Sequence, residues 1–257
     1  MRILVTNDDG IATPGLDILQ RVAAKLSDDV WTVAPETDQS GVSRSLTLHE
    51  PLRCRELTPQ TYAVKGTPAD CVIMATRHVL GEKLPDLILS GVNRGQNLAD
   101  DVHYSGTIAG AMEGAMLGIP SLAFSLALSA DDNFVAHWDT PLSHAPDLVR
   151  RLFDAGWNKN AVLNINFPAR PPEAVTETVL TSQGRRSHGR LSMDERHDTW
   201  GRPYYWFGFA PRHKVADEGT DTWAVLNGKI SITPLQADMT DYTLKGQLAE
   251  VVEKNAG

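Results

Sequence analysis

The stretch MRILVTNDDG, Met1 to Gly10, decides the fold, because a short apolar run halts there on two adjacent carboxylates and a glycine. Arg2 to Val5 read as a strand that leads to Asp8 and Asp9. Neighbouring residues on a strand face opposite sides, so the two acids converge on one point only if the backbone turns. Gly10 permits that turn. Thr13, Pro14 and Gly15 followed by LDILQRVAAKL read as a helix start, with Thr13 as cap and Pro14 in the first turn. In an open α/β sheet the loop of such a strand–loop–helix unit lies at the carboxyl edge of the strands, where ligands bind. An Asp-Gly pair is also an ordinary polar turn, and this stretch alone leaves both readings open.

Outward from this unit, strands and helices alternate. Val30 to Ala34 is a second buried-type strand stopped by Pro35, and the following loop brings Ser40-Gly41 to the same sheet edge, although a turn serine is commonplace. Leu46 to Glu56 and Thr61 to Val64 suggest two extended segments around Thr58-Pro59. Thr67, Pro68 and Asp70 have the spacing of a capped helix start, which gives Asp70 a structural role and removes it from the catalytic candidates. Asp86 to Ser90 is a strand running into GVNRGQN, where Asn93 and Asn97 flank a glycine-containing loop. Ser105-Gly106-Thr107 then opens a helix of small residues (Ala109, Gly110, Ala111, Gly114, Ala115) that can approach a sheet closely and offer its N-terminus to an anion. A plain Ser/Thr cap explains Ser105 to Thr107 equally well, but not the Asn-rich loop before it.

Ile119 to Leu128 is a further strand, His144 to Ala155 an amphipathic helix and Val162 to Phe167 another strand. The alternation predicts a doubly wound α/β fold with a largely parallel sheet. From Pro171 the texture changes: Gln183 to Arg202 is polar and charged, and YYWFGF at Tyr204 to Phe209 is dense in aromatics, which reads as a hairpin arm. Lys229 to Leu235 returns as a strand, followed by a turn at Asp238 to Tyr242 and a last helix from Leu244 to Glu253. The expected organisation is an α/β catalytic core over 1–182, an arm over 183–228 that serves oligomerisation, and a strand and helix over 229–257 returning to the core.

The chain of 257 residues with 42% hydrophobic content is long enough for one large core plus an extension. A formal net charge of -8 argues against gripping a nucleic-acid polymer, and Arg185, Arg186, Arg190 and Arg196 are interspersed with Asp194, Glu195 and Asp198 as on a solvated face. Cys54 and Cys71 alone make neither a disulfide framework nor a thiolate metal site. The opening directly on a strand and the shortness of the apolar runs place the protein in the cytoplasm, with no membrane partner.

Asp8, Asp9, Ser40 and Asn93 offer oxygen ligands only, each just past an expected strand end. Such a set suits one divalent cation per subunit, Mg²⁺, Mn²⁺ or Ca²⁺. A cation there would offset charge on a phosphoryl group and acidify a water, while Asn97 and the Ser105 to Thr107 helix start hold phosphoryl oxygens by neutral donors. A Mg²⁺-binding receiver-like signalling domain shares the acidic strand end, but it needs an aspartate ending the third strand, and Leu46 to Glu56 contains none. Neither G-x-G-x-x-G after the first strand nor G-x-x-x-x-G-K-[ST] is present.

NDDG at Asn7 to Gly10, Ser40-Gly41, GTPADCV at Gly66 to Val72, SGVNRGQN at Ser90 to Asn97, YSGT at Tyr104 to Thr107 and SITPLQADMTDY at Ser231 to Tyr242 together resemble the SurE (survival protein E) family of nucleotidases. The resemblance implies a Rossmann-like fold and a metal-dependent phosphatase acting on nucleoside monophosphates at the 5' or 3' position, with activity towards short polyphosphate. It implies Asp8, Asp9, Ser40 and Asn93 as metal ligands, of which Asp8, Asp9 and Asn93 also serve catalysis, and Asn97, Ser105, Gly106 and Thr107 as the phosphate site. It further implies a homodimer or homotetramer built through arms and a C-terminal segment. Two positions depart from the pattern: Ala99 stands where glycine is usual and Ile108 where valine is usual. Ala99 restricts its loop if that position needs a positive φ.

Overall fold

The computed structural model describes residues 1–185, 191–209 and 216–253. In chain order the elements are β1 (Arg2–Thr6), α1 (Pro14–Ala24), β2 (Asp29–Pro35), β3 (Arg53–Thr58), β4 (Thr61–Lys65), α2 (Pro68–Met74), β5 (Leu87–Arg94), α3 (Gly106–Met116), β6 (Ser121–Leu126), α4 (Asp139–Ala155), β7 (Ala161–Phe167), β8 (Thr178–Leu180), β9 (Leu191–His197), β10 (Pro203–Phe209), α5 (Asp221–Leu226), β11 (Ile230–Gln236) and α6 (Tyr242–Glu253).

Nine strands form one sheet in the order β3-β4-β2-β1-β5-β6-β7-β11-β8. From β4 to β7 every pairing is parallel. Numbered by chain order, these six strands run 3-2-1-4-5-6, the dinucleotide-fold order, so the Rossmann-like reading holds. The strand order reverses between β1 and β5, and the crevice beyond their carboxyl ends is the natural ligand site of such a sheet.

Side-chain alternation builds two layers of core on this sheet. Ile3, Val5, Leu87 and Leu89 face one side and pack with Leu16, Leu19 and Val22 of α1 and Leu148 and Val149 of α4. Leu4 and Ile88, one residue out of phase, face the other side with Cys71 and Val72 of α2. Truncating a fully buried residue such as Leu89 to alanine costs about 2–5 kcal/mol. Helix α3 lies close on that second face because of a glycine stripe. A Cβ on Gly114 would stand 2.4 Å from both Ile88 Cδ1 and Ser121 Oγ, and one on Gly106 only 2.7 Å from Asp8 Cβ.

Several boundaries differ from the sequence reading. Strand β5 continues through Arg94 across an irregularity between Ser90 and Asn93, so Asn93 lies within a bulged strand end and not in the loop beyond it. The first extended segment starts at Arg53, not Leu46, and pairs antiparallel with β4 at the sheet edge. Pro35 is the last residue of β2 and not outside it: its missing N–H is harmless there, and its carbonyl accepts from Ile11. Helix α4 begins at Asp139 and carries Pro146 inside, where proline hides the first turns from a sequence reading. The short strand β8 and helix α5 have no counterpart in the sequence reading, and α5 buries Ala224 and Val225 within the stretch assigned to the arm.

Strand β11 does return to the sheet, antiparallel to β7. Helix α6 does not pack on the core: Tyr242, Leu244, Leu248, Val251 and Val252 are all exposed. The arm is an antiparallel β9–β10 hairpin, with Tyr205 opposite Glu195 and Phe207 opposite Met193. Arg196 pairs with Asp194 at 2.8 Å, while Arg186 and Arg190 lie outside the described residues. No described helix is long and apolar enough to cross a membrane.

Candidate active site

The turn after β1 is shaped by Asn7, which is fully buried. Its Nδ2 donates to the Gly10 carbonyl at 2.9 Å and to Thr13 Oγ1 at 3.1 Å, and Gly10 takes the left-handed φ of +109° that the turn requires. Thr13 stands at the N-cap position of α1, but its hydroxyl donates to the Gly10 carbonyl instead of capping the helix. Thr67 caps α2 as expected, in a reciprocal capping box with Asp70.

Asp8 is 4% exposed and sits against the start of α3. Its Oδ1 accepts from Thr107 Oγ1 at 2.6 Å. Burial pushes its carboxyl up to about 7, against the opposing effect of the Thr107 hydrogen bond and with a further push from the charge of Asp9. Asp9 is half-buried, and its Oδ2 accepts from the Arg94 N–H at 3.3 Å, which ties the two strand ends together. Its pKa is also raised, first by burial and then by Asp38, while Arg94 lowers it.

The remaining expected ligands approach from two sides. The Gln39 N–H donates to the Asp8 carbonyl at 2.8 Å, which docks the Ser40 loop on the acidic turn. Ser40 is exposed, and its hydroxyl donates to Asp38 Oδ1 at 2.7 Å. Asn93 donates from Nδ2 to the Gly95 carbonyl at 2.7 Å, so its amide oxygen is the end not used in that bond. Among the described residues no three His, Cys, Asp or Glu side chains gather as a metal cluster. A cation here would rest on two carboxylates and neutral oxygens, a hard donor set that fits Mg²⁺, Mn²⁺ or Ca²⁺.

Asn97 is buried and anchored on every side. Its Nδ2 donates to Ser125 Oγ at 2.8 Å and lies 3.4 Å from Thr107 Oγ1; its N–H donates to Asn166 Oδ1; and its carbonyl accepts from Asn164 and Asn166. The Ser105 hydroxyl accepts from the Ile108 N–H as the N-cap of α3, which leaves its own proton to donate. Ser105 also lines a cavity of about 140 Å³ with Arg44, His103, Met112, Gln183 and Met239. The structure therefore joins Asp8, Gly106, Thr107 and Asn97 directly, ties Asp9 to the residue after Asn93, and links Ser40 through its neighbours.

Four participants escape the sequence reading. Asp38 lies near enough to Asp9 to raise its pKa and holds Ser40, but nothing in PETDQS distinguishes it from a loop acid. Asn164 and Asn166 do carry a signal: two polar residues at period two in the apolar strand VLNINF must share a face, and both are fully buried. Asp221 is fully buried too, with its Oδ2 accepting from the Ala99 N–H at 2.8 Å.

Similarity to known proteins points the same way as the geometry. A family model described as Survival protein SurE matches residues 3–190. A curated protein named 5'-nucleotidase SurE from Bradyrhizobium sp. (strain ORS 278) is 54% identical over 254 residues, covering 98% of this chain and all of that protein. Its namesake from Rhodopseudomonas palustris (strain BisA53) is 57% identical over 244 residues, 94% of this chain and 95% of its own. The crystal structure of the SurE protein from Aquifex aeolicus superposes with a TM-score of 0.85 at 40% identity, covering 98% of this chain and 99% of that one. With the acidic turn, the Asn-rich strand end and the Ser-Gly-Thr helix start held on one sheet edge, and with relatives matching along nearly its full length, the chain belongs to the SurE family.

Proposed function

We propose that the protein is a divalent-cation-dependent phosphatase that releases phosphate from nucleoside monophosphates at the 5' or 3' position, with short-chain polyphosphate as a further substrate. The observation that carries this reading is the Asp8 carboxylate, buried beside Asp9, oriented by Thr107 and raised to about 7. Two neighbouring carboxyls raised by burial resist ionising together near neutral pH, and a cation between them would favour the charged form of both. Asp8, Asp9, Ser40 and Asn93 would hold one such ion per subunit, which when bound offsets phosphoryl charge and lowers the pKa of a water. The names of the curated relatives support a nucleoside monophosphate as the ester.

The chain's own residues then divide the work. Gly106 has no Cβ to fill the space beside Asp8, and since the Ile108 N–H is taken by the Ser105 cap and the Thr107 N–H is directed at Asp8, it is the Gly106 N–H at the start of α3 that is offered to a phosphoryl oxygen. Ser105 donates its hydroxyl proton to the same group. Thr107 keeps Asp8 Oδ1 in place, and Asn97 acts behind Thr107, since its amide is committed to Ser125 and Thr107. The leaving nucleoside lies next to the cavity that Ser105 shares with Arg44 and Met112. Assembly into a homodimer or homotetramer through the β9–β10 arm and α6 covers the apolar surface that both leave exposed.

The test is phosphate release from a panel of nucleoside 5'- and 3'-monophosphates, with added Mg²⁺ or Mn²⁺ and after exhaustive chelation. Release that depends on the cation is the expected outcome. Full activity after chelation overturns the metal, and no release from any nucleotide overturns the substrate class.

A further inference from the structure

Asp221 is fully buried at the first position of α5, yet its hydrogen bonds reach well beyond that helix. Oδ2 accepts from the Ala99 N–H at 2.8 Å, and Oδ1 accepts from the Gly184 N–H at 3.0 Å as well as from the N–H and hydroxyl of Thr222. Three separated pieces of chain thus meet on one carboxylate: the loop after β5, the root of the hairpin arm and α5. Capping of α5 does not explain this, because Thr220 already caps that helix by accepting from the Trp223 N–H.

What Asp221 holds is costly to hold. Ala99 has φ +52°, a left-handed conformation that a residue with a Cβ adopts reluctantly. Two residues earlier stands Asn97, whose side chain reaches Thr107 Oγ1, and that hydroxyl donates to Asp8. Asn164 and Asn166 fix the main chain of Asn97, and Asp221 fixes the main chain at Ala99. The space around the carboxylate is full: a Cβ on Gly184 would stand 2.9 Å from Asp221 Oδ1 and 3.6 Å from Ala99 Cβ.

We infer that Asp221 is a positioning residue of the phosphatase site, which through the Ala99 N–H sets the Asn97–Thr107–Asp8 chain and ties it to the root of the arm at Gly184. This rests on the proposed function for its catalytic readout and on hydrogen-bond geometry for its structural one. Loss of the anchor lets Ala99 relax out of the left-handed region, which moves Asn97 and loosens the orientation of Asp8. An orientation fault at a reacting carboxylate appears in kcat more than in KM.

The experiment uses the full chain and three variants, Asp221→Asn, Asp221→Ala and Gly184→Ala. AMP hydrolysis with added Mn²⁺ is followed beside amide hydrogen exchange over residues 97–103. Asp221→Ala should lower kcat at least tenfold with KM changed less than threefold, and exchange at Ala99 should accelerate. Asp221→Asn keeps one acceptor oxygen and should recover part of both. Gly184→Ala crowds the carboxylate without removing it, should repeat the pattern more weakly, and serves if Asp221→Ala does not fold. A lowered melting temperature with kcat within twofold of wild type would overturn the inference, as would unchanged exchange at Ala99 in both Asp221→Ala and Gly184→Ala. If wild-type protein releases no phosphate from any nucleotide, the functional reading fails, while the exchange data still decide the anchoring.

Discussion

The carboxyl edge of the parallel sheet and the β9–β10 arm are opposite ways of using a short stretch of chain. At the sheet edge the polar side chains of the site are held from within, Asp8 by Thr107, Asn97 by Ser125 and Asn166, and Asp221 by Ala99 and Gly184, although the buried Thr6 Oγ1, Ser90 Oγ and Asn164 Oδ1 have no hydrogen-bond partner among the described residues. In the arm, Tyr204, Tyr205, Trp206 and Phe207 follow one another along a strand and all four are exposed. Successive strand residues face opposite sides, so both faces of the hairpin are uncovered. Helix α6 shares this character, because Leu244, Leu248, Val251 and Val252 fall on one helical stripe and none is buried. The side chains of the sheet edge are largely enclosed within one chain, whereas the arm and α6 leave apolar side chains uncovered, the kind of surface that marks a contact site.

Asp8→Asn gives the strongest test of this contrast. It removes one of two charges from the acidic turn, and kcat for nucleoside monophosphates should fall by several orders of magnitude. The mass in light scattering should not change, since the arm is untouched. Retained activity would remove Asp8 from the chemistry, and a changed mass would mean that the site and the assembly surface are one system.

The second test sharpens the electrostatic side of the comparison. Asp8 has its folded-state pKa raised to about 7 from an ordinary 3.8, so between these values the native protein binds more protons than the unfolded chain. Stability of the cation-free protein is therefore highest below about pH 4 on this account and falls as pH rises towards 7. At about 1.36 kcal/mol per pKa unit, the loss across that window is on the order of 4 kcal/mol. Asp9, raised in the same direction, adds to it. Melting temperatures of chelated protein between pH 4 and 8 should show the decline, Asp8→Asn should flatten most of it, and added Mn²⁺ should reverse it at pH 8. A chelated protein whose stability rises over this range would mean that Asp8 is charged and satisfied without an ion.

The contrast also separates what is legible in the sequence from what is not. The β–α alternation, the acidic turn at Asp8 and Asp9, and the capped starts of α2 and α3 are local patterns, and local patterns survive into the fold because hydrophobic periodicity and capping act over a few residues. Ser90-Gly91 looks like a strand end and so puts Asn93 in a loop, whereas β5 resumes beyond its irregularity. The effect of Asp38 on Asp9 and the role of Asp221 depend on partners distant along the chain, with 122 positions separating Ala99 from Asp221, and no local pattern carries such a pairing. The amphipathic stripe of α6 says that the helix packs, but not on what, which is why the core is the wrong guess for its partner.

The assembly side is tested by replacing residues 191–209 with a short Gly-Ser linker. The mass in light scattering should fall to a smaller species, and the melting transition of the α/β core should remain, because the hairpin pairs only with itself among the described strands. Activity per subunit should change less than with Asp8→Asn. A wild-type protein that is already monomeric at micromolar concentration would end the assembly reading and leave the acidic turn as it stands.

The smallest expected effect compares one backbone conformation in the two regions. Ala99 at the sheet edge and Gly201 in the arm turn both have positive φ, +52° and +76°. At position 201 a Cβ meets nothing within 4 Å, so Gly201→Ala introduces backbone strain alone, about 1 kcal/mol, and destabilises the hairpin locally. At position 99 the reverse change, Ala99→Gly, removes similar strain but frees the unfolded chain, which offsets about 0.4–1 kcal/mol, and deletes a buried methyl group. The net effect should be no more than about 1 kcal/mol in either direction, a shift of about 2–4 °C at most in melting temperature. If Asp221 carries the anchoring, Ala99→Gly should leave exchange at position 99 slow, since the N–H···Oδ2 bond persists without the methyl group. A gain well above 1 kcal/mol would show that the alanine was strained beyond what the anchor offsets. Fast exchange at that position in the Ala99→Gly variant would instead show that Cβ packing, and not the carboxylate, holds this loop against the site.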